Sequence, residues 1–570
     1  NGAFDATDGT ITFTDAGDLN LSSVVTDLGT LSTTNGTVTY DGIDQTVFLD
    51  TYYNLTAGGG SGTKTLGGDV TVANDLTIDP VVTIAMDANN LTVAGDTDIN
   101  GTVTISTATL DANDTFDATG GFVTFSDAGN LNLFSTVTDL GTLSDNFGTV
   151  TYDGVDQVVF SDDYYSLTAG GGSGTKTLGG DVTVSGDFTV DTLVTTAMGG
   201  NNLTVTNATD IDGTLAVADN TLTLDGASDV DGVITISTGT VDANDIFDAT
   251  GGFVTFTDDG NLNLSSTVAS LGTLSITNGT VTYDGVNQAV FSDEYYSLTA
   301  GGGSGTKTLG GDVTVAGDFT VDTLVTTAMG GNNLTVTNAT DIDGIITIST
   351  GTVDANGTFD ATDGTITFSD AGNLTLDSTV TSLGTLSTTN GTVTYDGVDQ
   401  TVFSDEYYSL TAGGGSGTKT LGGDVTVSGD FTVDTLVTTA MGGNNLTVTN
   451  ATDIDGTLAV AGDTLTLDGA SDIDGTITIS TGTVDANGVF DATNGTITFS
   501  GVGDLTLFSM VTSLGTLSTT NGTVIYDGVN QTIFSDDYYS LTAGGGSGTK
   551  TLGGAVTVAN DLVINAGVTV

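Results

Sequence analysis

The sequence predicts an all-β protein whose fold is an elongated parallel β-solenoid (β-helix), with coils of about 19–20 residues. Three observations lead to this fold class. The chain is built from internal repeats, neighbouring repeats differ by one block of 19 residues, and apolar residues alternate with threonine throughout. Tandem β-sandwich domains are the second architecture that this pattern allows.

The repeats are marked by the lysines, which all lie in one octapeptide, Ser-Gly-Thr-Lys-Thr-Leu-Gly-Gly. The spacing of Lys64, Lys176, Lys307, Lys419 and Lys550 is 112, 131, 112 and 131 residues. Phrases similar to the one at Asn1 recur at the same intervals, and they divide the chain into units at 1–112, 113–243, 244–355, 356–486 and a partial fifth at 487–570.

The 19-residue difference favours a solenoid over separate sandwiches. The two long units contain the extra segments Gly213–Asp231 and Gly456–Asp474, whose pattern copies that of their flanks. A sandwich that gains a hairpin does so in a loop, whereas a solenoid gains one more coil. The units also lack linkers. We therefore expect residues 213–231 and 456–474 each to form one additional coil, in a rod of about 29 coils that is roughly 140 Å long at the usual strand spacing.

The local pattern predicts short strands and almost no helix. Thr365-Ile366-Thr367-Phe368, Thr392-Val393-Thr394-Tyr395 and Val425-Thr426-Val427 alternate with period two. Alternate side chains of a strand point to opposite faces, so the apolar residues face inward and the threonines outward. Asp-Gly, Asn-Gly and Gly-Gly pairs separate these runs, as turns require.

Composition excludes several functional classes. The chain has 71 acidic residues against five lysines, a net charge of −66, and no histidine. Nucleic acids and anionic membranes would repel such a surface. Without histidine, cysteine or arginine, the usual nucleophilic triads and zinc sites cannot be assembled, and we expect no enzyme activity. No apolar run is long enough to cross a membrane. The start at Asn1, without methionine or signal peptide, is what a processed secreted protein or a fragment of a longer chain would show.

Aspartate pairs at positions i and i+2 are candidate calcium ligands, because Ca²⁺ prefers oxygen donors and such pairs share a face. No complete calcium-loop motif is present, and aspartates that cap turns beside glycine would show the same pattern. The inserted coils end on similar pairs, Asp229/Asp231 and Asp472/Asp474. The candidates are Asp210, Asp212, Asp341, Asp343, Asp453 and Asp455.

The lysine octapeptide is interpreted as an exposed loop whose ammonium group offsets nearby aspartates. An isopeptide cross-link from lysine to a neighbouring Asp or Asn is the alternative. The glycines of Gly413-Gly414-Gly415-Ser416-Gly417 predict a loop that leaves the coil once per unit. Adjacent tyrosines, such as Tyr407-Tyr408, should place one ring in the core and the other on the surface, where it could stack on a sugar.

The phrase Tyr52-Tyr53-Asn54-Leu55-Thr56, followed by Gly-Thr-Lys-Thr-Leu-Gly-Gly-Asp-Val-Thr-Val from Gly62, resembles the β-strand repeats of bacterial cell-surface proteins. These are adhesin-like proteins of the filamentous-haemagglutinin β-helix type. The resemblance covers essentially the whole chain, once per unit. It implies an extracellular location, a β-helical stalk or fibre, and roles in adhesion or in a biofilm matrix.

Two structural functions follow as expectations. The first is an extracellular filament in which copies join head to tail through open solenoid ends, and the second is the rigid stalk of an adhesin. The main expected partner is another copy of the chain, with cell-surface or matrix polysaccharide as a second. Ice binding by outward threonines, and the binding or cleavage of polysaccharide, are less favoured because threonine interleaves nearly every strand and no catalytic set stands out.

Overall fold

The structure is a computed structural model that describes residues 2–570. It confirms the predicted fold class. The described residues contain only strands, turns and bends, with no helix, and they form a parallel β-solenoid of about 28 turns. They divide into two compact units, of which the first ends at Thr282 and the second runs from Tyr283 to Val570.

Each turn contains three short strands, and within a sheet each strand pairs in parallel with the third strand after it. Gly62–Leu66, for example, pairs with Val82–Ala85, which in turn pairs with Thr102–Ile105. Every turn therefore adds one strand to each of three sheets.

In the first unit, one sheet has twelve strands and two further sheets flank its beginning. The twelve strands are Thr51–Tyr52, Val70–Val72, Leu91–Val93, Thr109–Ala112, Asn130–Leu133, Thr149–Tyr152, Ser166–Ala169, Phe188–Val190, Thr209–Ile211, Ser228–Val230, Phe247–Asp248 and Val268–Ser270. A seven-stranded sheet contains Asp18–Leu21, Thr37–Tyr40, Asn54–Ala57, Leu76–Ile78, Thr97–Ile99, Phe116–Asp117 and Val137–Asp139. A six-stranded sheet contains Gln45–Val47, Gly62–Leu66, Val82–Ala85, Thr102–Ile105, Phe122–Phe125 and Thr142–Leu143.

The second unit also has a twelve-stranded sheet, and two further sheets lie beside its second half. Its twelve-stranded sheet contains Glu294–Tyr295, Val313–Val315, Leu334–Val336, Thr352–Ala355, Asn373–Leu376, Thr392–Tyr395, Ser409–Ala412, Phe431–Val433, Thr452–Ile454, Ser471–Ile473, Phe490–Asp491 and Val511–Ser513. A seven-stranded sheet contains Gln400–Val402, Gly417–Leu421, Val437–Ala440, Thr457–Val460, Thr476–Ile479, Thr496–Phe499 and Thr516–Leu517. A nine-stranded sheet contains Glu406–Tyr407, Val425–Val427, Leu446–Val448, Thr464–Leu467, Thr483–Ala486, Asp504–Leu507, Thr523–Tyr526, Ser540–Ala543 and Leu562–Ile564.

The core consists of columns of apolar side chains that run from turn to turn. Leu446 lies beside Leu465, Leu465 beside Val484, and Val484 beside Leu505, and all four are buried. The intervening threonines are half-buried on the outer face, in line with the period-two pattern. Complete burial of one such side chain contributes about 1.5–3 kcal/mol, so the columns are the main source of stability.

The extra segments of the long units each hold three consecutive strands. Residues 213–231 contain Thr214–Val217, Thr221–Leu224 and Ser228–Val230. Residues 456–474 contain Thr457–Val460, Thr464–Leu467 and Ser471–Ile473. Three strands make one turn, so the 19-residue difference corresponds to one turn of the solenoid.

The solenoid is not uniform, because two of its three sheets break once in each repeat. In the fourth repeat, sheets end at Val380–Ser382 and Thr385–Leu386, and new ones begin at Gln400–Val402 and Glu406–Tyr407. The third sheet continues through Thr392–Tyr395. We call this region the joint. It comprises residues 377–419, and 22–64, 134–176 and 508–550 in the first, second and fifth repeats.

Candidate functional site

The joint is the candidate functional site, because it gathers the chemically distinctive side chains of each repeat. A cleft of about 290 Å³ opens in the fourth joint where the two sheets break. It is lined by residues 377–380 on one side and 399–401 on the other. Similar clefts lie in the first, second and fifth joints.

A buried glutamine bridges the break in the sheets. The side-chain nitrogen of Gln400 donates hydrogen bonds to the carbonyl oxygens of Leu376 (2.8 Å) and Ser378 (2.7 Å). Its side-chain oxygen accepts one from the backbone N–H of Gly397 (2.7 Å). One side chain thus satisfies three backbone groups where sheet pairing is interrupted, which is what buried polar groups require. Gln45, Gln157 and Gln531 make the same three contacts.

Two buried tyrosines flank the glutamine in the sequence, one before it and one after it. The Tyr407 hydroxyl donates to the carbonyl of Phe403 (2.6 Å), and the Tyr395 hydroxyl accepts from the N–H of the same residue (2.9 Å). Because the single hydroxyl hydrogen of Tyr407 is already used, Tyr395 is the donor in the 3.0 Å bond between the two hydroxyls. The rings pack edge to face. Equivalent pairs are Tyr40–Tyr52, Tyr152–Tyr164, Tyr283–Tyr295 and Tyr526–Tyr538.

The expected division of each adjacent tyrosine pair is confirmed in the fourth repeat. Tyr407 is buried, whereas Tyr408 is 38% exposed. Burial raises the pKa of Tyr395 to about 12, and it also raises the pKa of Tyr407. These hydroxyls are therefore fixed, protonated parts of the core.

The prediction that the lysines lie on an exposed loop is wrong. Lys64, Lys176, Lys307 and Lys419 are 0% exposed, and Lys550 is 1% exposed. Lys419 lies on a strand, Gly417–Leu421, between Gln400 of the preceding turn and Thr439 of the next. Its side chain points inward because position i+2, Leu421, also does so, and the period of the strand overrides the preference of a charge for solvent.

Each lysine holds the corner of the preceding turn. The Nζ atom of Lys419 donates a hydrogen bond to the carbonyl oxygen of Gly397, and that of Lys307 to Gly285 over 2.5 Å. In the second repeat, Lys176 contacts the carbonyl oxygens of Gly154 (2.5 Å) and Val155 (3.4 Å). The lysine is therefore hydrogen-bonded to the short loop that leads to the glutamine of the same joint.

Burial lowers the pKa of all five lysines. Aspartates close to each ammonium group partly offset this effect. For Lys419 the strongest of these charges is Asp396, followed by Asp399 and Asp377. One aspartate acts on the lysine in every repeat, namely the residue directly before the glycine that accepts the lysine's hydrogen bond. These aspartates are Asp41, Asp153, Asp284, Asp396 and Asp527.

The glycine-rich segment is not a loop that leaves the coil, contrary to the sequence prediction. It is a four-residue corner between the strands Ser409–Ala412 and Gly417–Leu421. Gly414 and Gly417 adopt φ angles of 90° and 99°. A Cβ atom at Gly414 would lie 1.8 Å from the Asp396 carbonyl oxygen, and one at Gly417 only 1.6 Å from that of Val398. The glycines are needed because this corner stacks directly on the previous one.

The aspartates predicted to bind calcium lie mostly on the surface, in columns along the strands. Asp210 stands beside Asp229, Asp341 beside Asp360, and Asp453 beside Asp472. Partial burial, and then the neighbouring carboxylates, raise the pKa of Asp210, Asp341 and Asp453. Asp212 and Asp455 are exposed at the corners that follow, and Asp343 is half-buried.

Residues 2–570 contain no group of three or more acidic side chains arranged to hold a metal ion. Binding of Ca²⁺ by Asp210, Asp212, Asp341, Asp343, Asp453 or Asp455 stays a prediction. It would be tested by the effect of chelation on the melting temperature.

A further recurring feature is an exposed apolar residue in the left-handed region. Val81, Leu193, Leu324 and Leu436 have φ angles between 64° and 70° and are at least 74% exposed. They occupy equivalent positions in four repeats, and the fifth has Gly567 there, with a φ angle of 88°. Bulky residues rarely adopt this conformation, so the feature adds strain at the surface.

Comparison with known proteins adds no relative. No family model matches the chain, and neither the curated proteins nor the solved structures contain a match. The described residues include no helix with the length and apolar character of a membrane span. The fold and the joints define the class of protein, a parallel β-solenoid of tandem repeats.

Proposed function

We propose that the chain is a structural protein of an extracellular filament or fibre, in which copies join head to tail. The observation that carries this proposal is that the distinctive side chains of each repeat are buried. The glutamine, the lysine and both core tyrosines of a joint bond to backbone atoms or to one another. Groups used in this way stabilise a scaffold, and we propose no enzyme activity.

Recurrence of the turn-on-turn contacts supports assembly. The first, second, fourth and fifth repeats use the same contacts at their joints, such as Gln157 to Leu133 and Gln531 to Leu507. A second copy could therefore stack on the end of the first through the same turn-on-turn contacts that each chain forms within itself. Such a contact joins unlike surfaces and continues as a fibre.

Charge favours end-to-end contact over lateral bundling. The chain carries a net charge of −66, and the outer face of the strands displays columns such as Asp210–Asp229. Two copies lying side by side would repel each other, whereas stacking between turns buries uncharged backbone and apolar columns. We also propose a location outside the cell, with polysaccharide as a second class of partner.

The experiment is electron microscopy of the purified chain over a range of protein concentrations, together with sedimentation velocity on the same samples. The filament proposal expects particles that lengthen with concentration at constant width. A stalk, the alternative, would remain a single copy of fixed length at every concentration, and this outcome would replace the filament proposal. Added salt serves as a control. Because salt screens the negative charges, lateral bundles should form at high salt, whereas the particles should keep a constant width at low salt.

A further inference from the structure

Asn-Gly pairs recur at one position of the repeats, in the short loop before the strand of the sheet that continues through the joint. In the fourth joint the pair is Asn390-Gly391, and the strand that follows is Thr392–Tyr395. The second repeat has Phe147 in place of the asparagine, before Gly148. The four asparagines at this position, which we call the loop asparagines, are Asn35, Asn278, Asn390 and Asn521.

Four other Asn-Gly pairs lie outside these loops, and hydrogen bonds hold all of them. Each asparagine side chain is a donor, and three of the four glycines also donate their backbone N–H. The side-chain bonds join Asn100 to Asp98 (2.9 Å), Asn356 to the carbonyl oxygen of Val336 (3.3 Å), Asn487 to Asp468 (2.7 Å) and Asn494 to Asp474 (3.1 Å). The backbone bonds join Gly101 to Ile78 (3.1 Å), Gly488 to Leu467 (3.4 Å) and Gly495 to Ala492 (3.0 Å).

The loop asparagines have neither kind of hydrogen bond. Among the described residues, no partner is within hydrogen-bond distance of their side chains or of the backbone N–H groups of the glycines that follow. Asn390 is exposed, whereas Gly391 is buried and has a φ angle of 78°. A Cβ atom at Gly391 would lie 2.2 Å from the ring of Phe368, so only glycine fits there. The loop therefore presents a free asparagine in front of a fixed glycine.

Local sequence does not account for this difference. Asn494 lies between Thr493 and Gly495-Thr496, and the loop asparagines have the same Thr-Asn-Gly-Thr sequence. Asn494 is exposed, as Asn390 is. The two sites differ in that both the side chain of Asn494 and the backbone N–H of Gly495 are hydrogen-bonded.

We propose that the loop asparagines are sites of spontaneous deamidation. The backbone nitrogen of the following glycine attacks Cγ of the asparagine side chain, forms a C–N bond and loses its proton to water. The bond from Cγ to the side-chain nitrogen breaks, and that nitrogen takes up a proton and leaves as ammonia. One water molecule then opens the resulting succinimide ring at either carbonyl carbon. The product is aspartate or isoaspartate, and water is the only other reactant.

Hydrogen bonding decides which pairs react. The side chain must turn towards the glycine nitrogen, and the backbone N–H must be free to approach Cγ. Outside the loops, these movements first break one or two hydrogen bonds. The cost of breaking them should slow the reaction there by roughly tenfold or more.

Deamidation would change the loop in two ways. It adds a carboxylate to a chain whose net charge is already −66, and so increases the repulsion at the joint. Isoaspartate also adds one atom to the main chain directly before Gly391, which Phe368 holds in place. We therefore expect the loop between Thr385–Leu386 and Thr392–Tyr395 to loosen with age. The second repeat would be exempt, because Phe147 packs against Tyr165 with ring centroids 6.2 Å apart.

The test is peptide mapping by mass spectrometry of the full-length chain after incubation in mildly alkaline buffer. Peptides that contain a loop asparagine should gain the mass difference between an amide and an acid, and each should give an aspartate and an isoaspartate product. Peptides that contain Asn100, Asn356, Asn487 or Asn494 should react at least about tenfold more slowly. Equal rates in both groups, or faster reaction outside the loops, would overturn the proposal.

Two variants and one change of solvent serve as controls. Phe147→Asn should create a fifth reactive loop, and Asn390→Phe should abolish the reaction in the fourth loop and leave the other loops unchanged. In concentrated urea the native hydrogen bonds are lost, so Asn494 should react as fast as the loop asparagines. A difference that persists in urea would overturn the structural explanation. An unreactive Phe147→Asn loop, in a chain whose other loops still react, would overturn it as well.

Discussion

Lys176 donates a hydrogen bond of 2.5 Å to the carbonyl oxygen of Gly154 in the preceding turn, and its side chain is completely buried. The only cationic side chains of a chain with 71 acidic residues are therefore used inside its core. They hold the corners at which two sheets break, and they reduce the repulsion among the aspartates beside them.

The lysine's contribution can be separated into volume and charge with two substitutions. We expect Lys176→Ala to lower the local opening free energy of the strand Gly174–Leu178 by about 2–4 kcal/mol, because it leaves a cavity. Lys176→Met keeps most of the volume, and it should change that free energy by no more than about 1 kcal/mol, since burying the charge already carries a cost. Amide hydrogen exchange in this strand measures both. Equal losses in the two variants would show that the bond to Gly154 matters more than packing.

The tyrosine pair predicts a contrast between adjacent residues. Tyr407→Phe removes the hydroxyl that bonds to Phe403 and to Tyr395, so the Phe403 carbonyl oxygen loses its donor and the Tyr395 hydroxyl hydrogen loses its acceptor. We expect a loss of about 1–3 kcal/mol in the opening free energy of the joint. Tyr408→Phe is the matched control, because its side chain is partly exposed, and it should have no effect. Similar protection from hydrogen exchange in both variants would refute the structural role of the pair.

The left-handed leucine predicts a stabilising substitution. Leu436 has a φ angle of 70° and is 77% exposed, and the fifth repeat has Gly567 at the equivalent position. Leu436→Gly should raise stability by about 0.5–1 kcal/mol, because glycine adopts this conformation without strain. Thermal melting followed by circular dichroism would show the gain. Leu436→Ala, which keeps the Cβ atom and the strain, is the control, and an equal gain in this variant would contradict the explanation.

The aspartate columns predict that mild acid stabilises the fold. Partial burial and neighbouring carboxylates raise the pKa of Asp210, Asp229, Asp453 and Asp472 above the value of an unfolded chain. The folded state then binds more protons than the unfolded state. The stabilisation that these protons give is complete below the unfolded-state pKa, and it is lost as the pH rises through the raised folded-state pKa. The melting temperature should therefore rise as the pH is lowered from 7 towards the pKa of an unfolded aspartate, about 3.9.

The matched control for this prediction is Asp210→Asn with Asp229→Asn, which removes one pair from a column. The double variant should melt at a higher temperature than the unchanged chain at pH 7, and its gain on acidification should be smaller. A melting temperature that falls steadily as the pH is lowered from 7 to about 4 would contradict the assigned sign.

Most of the fold could be predicted from the sequence because a solenoid repeats its local rules. Alternation in Thr365–Phe368 identified the buried Ile366 and Phe368, and the adjacent tyrosines were correctly divided between core and surface. These features depend only on the direction of side chains along a strand, and no long-range contact is needed to infer them.

The joint could not be predicted in the same way. The period-two pattern places Lys419 on the same inward face as Leu421. The cost of burying a charge nevertheless favoured an outward lysine, and this led to the wrong prediction. Gln400 was missed because its three partners belong to the preceding turn and to its own corner. The break in two sheets depends on which strands pair, and the sequence of one turn does not contain that information.

The most direct test of the account is cryo-electron microscopy of the purified full-length chain. We predict particles in which turns stack about 4.8 Å apart through each copy and continue into the next copy. Each lysine should be enclosed in the core. Separate globular domains, or particles that never extend beyond a single copy at any concentration, would contradict it.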